Sequence, residues 1–368
     1  MIKTLPPTLF FYLARQYMKW VLALLALLLS FITLVDIIEL LRRSSEQAEE
    51  YSFGYILLVS ALNVPQLLDM ILPFAVLFGS ITCFYSWSRS HEFITARGLG
   101  QSIWQALLPV ICSCLLIGFF HILVINPISA TTSASYESHL DQIVKYRTKT
   151  SLSVSSNGVW LRDRTAEHQM IINGQSLTPE EGEIQHAVIY FLNDKGGIDW
   201  RLRAERINLQ SGAWVIPDAV RIANQGVETD LGNISVPSVL DKSALLQSTR
   251  PPKTINIFSL PKFIDVLGNA GLPVDKYRVH FHQLLSTPLK LLGLAMLAAS
   301  FTLIHFSRQQ RVRLILMGLG CGFAFYFLSD LIYLLGSTSR LPNQLAGWAP
   351  ALLICAAGGY FLARVDEH

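Results

Sequence analysis

Charge is scarce in this chain of 368 residues. Asp, Glu, Lys and Arg make up 15% of it, against about 25% in soluble globular proteins, while 51% is hydrophobic. That deficit excludes a water-soluble domain for most of the length and points to a membrane protein. The net charge of +3 is small and no dense basic patch occurs, which excludes a nucleic-acid partner. Cysteine is sparse too. Cys83, Cys112, Cys114, Cys321 and Cys355 all fall in apolar runs without C-x-x-C spacing. They exclude a disulfide framework and read as small apolar residues. No G-x-x-x-x-G-K-[ST] loop is present, so ATP is not bound by that route. His91–Glu92 lacks the second histidine of H-E-x-x-H. His280 and His282 alone hint at a metal, and an intramembrane enzyme has no other support.

What the chain has in abundance is long apolar runs. A helix of about 20 apolar residues crosses the hydrocarbon core of a bilayer. Six stretches qualify: 17–40, 66–87, 104–125, 283–305, 314–336 and 346–363. The first is too long for a signal peptide and lacks a small-x-small cleavage site, so it predicts a retained helix. Between the third and fourth lie about 150 residues of ordinary soluble composition. Runs such as "GVWLRD", "HAVIYFLND", "IDWRLRAERINL" and "GAWVIPDAVRIAN" alternate apolar with polar and are separated by turn signals. They predict about eight short strands in a small sandwich or roll. His168 and His186 read as structural or surface residues of those strands. Ser259 as N-cap and Pro261 in the first turn predict a short connecting helix over 259–269.

The fold class expected is therefore an α-helical membrane protein of six transmembrane helices, with a β-sandwich or jellyroll-like domain inserted between the third and fourth. The N-terminal transmembrane half covers 1–125, the inserted domain 126–277 and the C-terminal half 278–368. Orientation follows the Lys and Arg near the span ends. Lys3, Arg15, Lys19, Arg89, Arg97, Arg308, Arg311, Arg313 and Arg364 gather on one side, which predicts that side as cytoplasmic. Both termini are then inside. The inserted domain is outside, which for a bacterial inner membrane is the periplasm.

The segment "SRSHEFITARGLGQS" (88–102) joins the second and third spans on the cytoplasmic side. Phe93 and its apolar neighbours lie to one side, with Arg89, Glu92 and Arg97 polar. It reads either as a short amphipathic helix at about 89–100 or as an ordinary charged loop obeying the positive-inside rule. At the other end of the first span, Asp36 and Glu39 precede Arg42 and Arg43. The acids could hold cations, or Glu39 could pair with the arginines at i+3 and i+4. Asp330 in the fifth span is a functional candidate or faces an internal cavity. The small residues of "GLGCGFAF" in that span serve packing within the chain or against a partner.

Taken in order, "RSHEFITARGLGQSIWQ", "NGVWLRD", "IYFLNDKGGIDWRLRAERINLQSGAWVIPDA" and "KYRVHFHQLLSTPLKLLGLAMLAASF" resemble the LptF/LptG (YjgP/YjgQ) family, the permeases of the lipopolysaccharide export ABC transporter. The resemblance spans essentially the whole chain, and "NGVWLRD" and "YRVHFH…PL" look more like the LptG member. It implies a permease subunit in the Gram-negative inner membrane, with no catalytic residue, cofactor or metal of its own. Lipopolysaccharide would enter from the outer leaflet, between the first and fifth spans of paired subunits. It would pass through the periplasmic β-domain to LptC and LptA. An LptF-type partner permease would complete a heterodimer, and a cytoplasmic LptB dimer would use ATP and Mg. Residues 88–102 match the coupling helix of the family, with Glu92 at its coupling glutamate and Arg89, Phe93 and Arg97 beside it. Arg42 and Arg43 match a basic pair at the outer end of the first span, candidates for lipid contact; interfacial snorkelling explains them equally. This chain departs from the LptG pattern at Asp36, where a lysine is expected, and in "NPISATTSASYESHLDQ", which lacks the expected arginines. Lipid recognition would then use other cations, or Asp36 and Glu39 through bridging ions. A membrane-anchored periplasmic sensor or assembly factor without an ATPase is the alternative.

Overall fold

The computed structural model describes residues 6–45, 51–90, 102–143, 151–155, 158–164, 169–178, 182–192, 197–210, 212–223, 228–238, 251–269, 272–302 and 308–366. They fall into two compact units. One comprises Met1–Val144, Lys253–Ile257 and Asp275–His368; the other comprises Lys145–Pro252 and Phe258–Val274.

The first unit is helical. It contains α1 (Pro7–Ser45), α2 (Phe53–Arg89), α3 (Ile103–Phe120), α4 (Asn126–Ile143), α6 (Asp275–Thr302), α7 (Arg308–Ser337) and α8 (Asn343–Asp366). Six helical stretches are long and apolar enough to cross a membrane, with α3 and α4 forming one of them. Each contains one of the six runs read from the sequence, apart from the last three residues of the fourth (303–305), which lie outside the described residues. Several reach well beyond them. The helix holding 66–87 begins at Phe53 and passes through Pro65 and Pro73 without ending.

The third span does not stop at residue 125. A π-turn, His121–Ile125, leads straight into α4, so "NPISATTSASYESHLDQ" is helix rather than the opening of the β-domain. Pro127 supplies the reason for the π-turn. It has no N–H and its ring crowds the carbonyl four residues back, so the turn before it widens. The Asn126 N–H then reaches the His121 carbonyl.

Helix α6 is the hub and packs on α2, α3, α7 and α8. Small residues bring the backbones together. At Gly118 of α3, a Cβ would collide with Pro288 of α6. Across the α6–α8 contact, the Ser286 hydroxyl donates to the Gly347 carbonyl at 2.9 Å. The α7–α8 turn is tied to the start of α6, where the Asp275 carboxylate accepts from Ser339 and, at 2.7 Å, from Asn343. The apolar core runs from Tyr17, Phe84 and Trp87 through Cys114 to Leu291, Ala298 and Ile354.

The second unit carries one antiparallel sheet: β1 (Ser151–Ser155), β2 (Gly158–Arg164), β3 (Gln169–Gly174), β4 (Ser176–Thr178), β5 (Glu183–Leu192), β6 (Ile198–Gln210), β7 (Ala213–Ala223) and β8 (Glu228–Pro237). Neighbouring strands pair in chain order, with β4 set beside β5. Inward residues alternate as expected for one buried face: Leu161, Met170, Ile172, Ile189, Leu202, Trp214 and Ile216 are all buried. The sheet curls over on itself. Asp163 of β2 accepts from the Trp214 indole of β7 at 3.2 Å and from Ser238, although three strands, β3, β5 and β6, separate β2 from β7 in the sheet. Pro217 sits where the β7–β8 register shifts, beside Asp218 at φ 47°, a place where a strand tolerates proline. Helix α5 (Leu260–Asn269) packs against β1, buries Leu260, Ile264 and Leu267, and lies within the expected 259–269. His186 is exposed on β5, and His168 lies outside the described residues.

Candidate functional site

The charged segment between the second and third spans is framed by two well-defined ends. Helix α2 closes with Arg89, which is exposed. Helix α3 opens with a capping box: the Gln105 N–H donates to the Ser102 hydroxyl at 3.3 Å, and the Ser102 N–H to the Gln105 side chain at 3.1 Å. Ser-x-x-Gln is a sequence-level start signal, and it fixes where any connecting helix must end. Glu92, Phe93 and Arg97 lie outside the described residues.

The acids and bases at the end of α1 separate into two sets. Glu39 receives Arg42 at 2.9 and 3.0 Å and Arg43 at 2.8 Å, which is the i+3/i+4 pairing. All three are partly exposed. Asp36 points the other way, to α2. Its carboxylate accepts from the Ser60 hydroxyl at 2.7 Å and the Asn63 amide at 3.0 Å, both on buried residues. Asp36 is thus a helix-to-helix contact, and the arginines are held by Glu39.

A cavity of about 230 Å³ lies inside the helical unit, between α2, the π-turn, α6 and α7. Asp69, His121, Lys253, His280, Lys290 and Asp330 line it, so Asp330 faces the internal cavity. Asp69 is committed: one oxygen takes His121 at 2.8 Å and the other takes Ser129 at 3.1 Å. His121 Nδ1 and His280 Nε2 are buried without a hydrogen-bond partner. Lys253, Lys290 and Asp330 make no ion pair among the described residues. Asp69 and Lys290 were legible as ionisable residues inside apolar runs, "LLDMILPF" and "STPLKLLGL", yet neither stands out without the groups around it. His282 packs edge-on against Phe281, and no cluster of three or more His, Cys, Asp and Glu suited to a metal occurs among the described residues.

Two helices leave most of their apolar surface uncovered. On α1 this includes Leu27, Phe31, Leu34, Val35 and Ile38; on α7, Leu316, Phe323, Phe327, Leu331 and Leu334. The glycines of α7 divide accordingly. Gly318 meets Phe301 and Gly322 meets Leu77, within the chain, while a Cβ on Gly320 would touch nothing.

Six apolar helices with a β-domain between the third and fourth spans, and a helical unit with two bare apolar flanks, define a multi-pass membrane protein of the permease class. The sequence model of the family described as lipopolysaccharide export system permease LptF/LptG matches residues 11–364. The chain belongs to that family and is an inner-membrane permease of lipopolysaccharide export. No curated protein matches it significantly.

Proposed function

We propose that this chain takes lipopolysaccharide from the outer leaflet of the inner membrane and passes it through its own periplasmic β-domain, as one half of a permease heterodimer. The observation that carries the reading is the pair of uncovered apolar helices, α1 and α7, in a chain matched along nearly its whole length by the permease family. Apolar faces of that extent are the contact surfaces of a lateral gate and of a partner subunit. By resemblance the chain is the LptG-type member, its partner is LptF-like, and the ATPase is an LptB dimer that uses ATP and Mg. LptC and LptA receive the lipid on the periplasmic side. Both termini are cytoplasmic on the Lys and Arg distribution. Glu92, with Arg89, Phe93 and Arg97, docks the ATPase. A carboxylate at such a contact is strong when paired and costly when left bare. Arg42 and Arg43 face the lipid phosphates, with Glu39 between them and Asp36 holding α1 in place.

The test is ATP-driven lipopolysaccharide release from proteoliposomes holding this chain, its partner permease and the ATPase, with Glu92 intact or replaced by alanine. Release and ATP hydrolysis that require Glu92, in complexes that assemble equally well, support the reading. An intact chain that neither binds the ATPase nor releases lipid is instead a membrane-anchored sensor or assembly factor.

A further inference from the structure

The cavity in the helical unit carries an imbalance of charge. Its wall holds two ammonium groups, on Lys253 and Lys290, and two carboxylates, on Asp69 and Asp330. Both oxygens of Asp69 are occupied by His121 and Ser129, so one uncommitted carboxylate faces two ammoniums. Lys253 and Asp330 are exposed residues, so Lys290, half-buried on α6, is the unpaired charge inside the bundle, where such a charge is expensive and marks a ligand path or a counter-ion. The remaining polar lining, Gln66, Gln283, Thr287, Tyr326, Ser329 and Tyr333, consists of hydroxyls and amides that can donate as well as accept. Two imidazole nitrogens, His121 Nδ1 and His280 Nε2, add further unpartnered capacity. A cavity with two ammoniums and several groups able to donate suits an oxyanion, and a phosphate accepts several such donors at once.

Position and size narrow the source of the phosphate. Measured against the apolar runs 66–87, 104–125, 283–305 and 314–336, Asp69, His121, His280 and Asp330 lie near the ends that meet the outside, and Lys253 follows the inserted domain. On the proposed orientation those ends are at the level of the outer-leaflet headgroups. A volume of about 230 Å³ takes a phosphate with several waters. Tyr326 lines the cavity and is 39% exposed, so the cavity is open to the surface at α7, the helix whose Phe323 and Phe327 are bare. Acyl chains can lie along that apolar face.

We propose that the cavity between α2, the π-turn, α6 and α7 binds the phosphate of an anionic lipid headgroup, with Lys290 and Lys253 as the cations and His280 as a further donor. The site lies within one permease chain, separate from Arg42 and Arg43. It rests on the functional reading above for its place at the outer leaflet.

The experiment replaces Phe325, on the cavity wall, with benzoylphenylalanine in the full chain paired with its partner permease. The complex is reconstituted without ATP in vesicles of phosphatidylethanolamine containing either lipopolysaccharide or phosphatidylglycerol. Photo-adducts with the phosphate-bearing anionic lipids are expected in excess over phosphatidylethanolamine adducts. K290Q should lower the anionic adducts about tenfold, the loss of a charge-assisted hydrogen bond, and K290R should restore them. H280Q is the second variant should K290Q fail to assemble, and should lower them as well. Adducts that ignore both substitutions, or that form equally with phosphatidylethanolamine, overturn the proposal. Loss of the adduct on adding inorganic phosphate at millimolar level would make the occupant a free phosphate and overturn the lipid source. No ATP is used, so a failure of transport leaves this outcome unaffected, and the two readings fail separately.

Discussion

Asp36 stands where the family resemblance leads one to expect a lysine for lipid phosphate, so its role is the sharpest question at the first span. Its carboxylate is engaged by Ser60 at 2.7 Å and Asn63 at 3.0 Å, and those two residues are 1% and 6% exposed. Asp36→Ala removes the acceptor and leaves both donors buried and unpaired. Hydrogen bonds of this kind between transmembrane helices average about 0.6 kcal/mol and reach about 1.7. Two of them, both to the one carboxyl group, put the expected loss at about 1–3 kcal/mol. The assay is denaturant-induced unfolding of the full chain in detergent micelles, run as a double-mutant cycle with Ser60→Ala and Asn63→Ala. Coupling between Asp36 and each α2 partner is expected, with lipopolysaccharide binding changed less than threefold (about 0.65 kcal/mol) in complexes that remain folded. Zero coupling together with a tenfold loss of binding would refute the helix-contact assignment and make Asp36 a ligand residue.

Glu39→Gln breaks the link to Arg42 and Arg43, which are solvent-facing, so stability should hardly move. Binding of lipopolysaccharide to the reconstituted complex should tighten as the arginines lose their competing carboxylate, most visibly at low salt; weaker binding would show that Glu39 positions them. Gly322→Val drives a side chain into Leu77 and should destabilise the α2–α7 contact by about 1–3 kcal/mol. Gly320→Val meets nothing within the chain, so its melting temperature should match the unaltered chain while assembly with the partner permease falls; a matching loss of stability in both variants would contradict the division of the α7 glycines.

Hydropathy locates the spans because the bilayer imposes it directly, and the apolar runs are helical throughout their described residues. What lies beyond the runs obeys other forces. Residues 126–143 are rich in Ser and Thr, whose helix propensity is modest, and read as the opening of a β-domain. They are helical because of their surroundings. Ser129 donates to Asp69 and Ser133 to Gln66, and both are fully buried against α2. Thr131, Thr132, Ser135 and Ser138 return their hydroxyls to carbonyls three or four residues back, so these hydroxyls are satisfied within the helix. The same contrast runs through the polar sites. The Glu39 pair is written in local spacing and was legible. The Asp36 partners lie 24 and 27 residues away, and the cavity draws on one helix and a π-turn before the β-domain and on Lys253 and two helices after it. No window on the sequence brings those residues together.

The bare faces of α1 and α7 have a different meaning in lipid than they would have in water. In water such patches would be driven to bury themselves. Lipid tails are as apolar as leucine, so exchanging a lipid for a partner helix gains little from apolar burial, and association rests on close packing and polar contacts. Helix α1 is fixed by the polar ties of Asp36 and by its contacts to α2 and α3. Helix α7 is held through Gly318 and Gly322, its contacts to α6 and α8, and the aromatic cluster of Phe74, Phe78, Phe323 and Tyr326. Each helix is thus anchored on one side and nearly neutral on the other. A gate that admits a lipid sideways needs that balance, since an outer face bound too firmly to a partner would not open. On the proposed function, a driving ATPase would work against packing and a few polar contacts rather than a hydrophobic interface, and the polar contacts toward the end of α1 and around the α7 cavity would set how much work each opening requires.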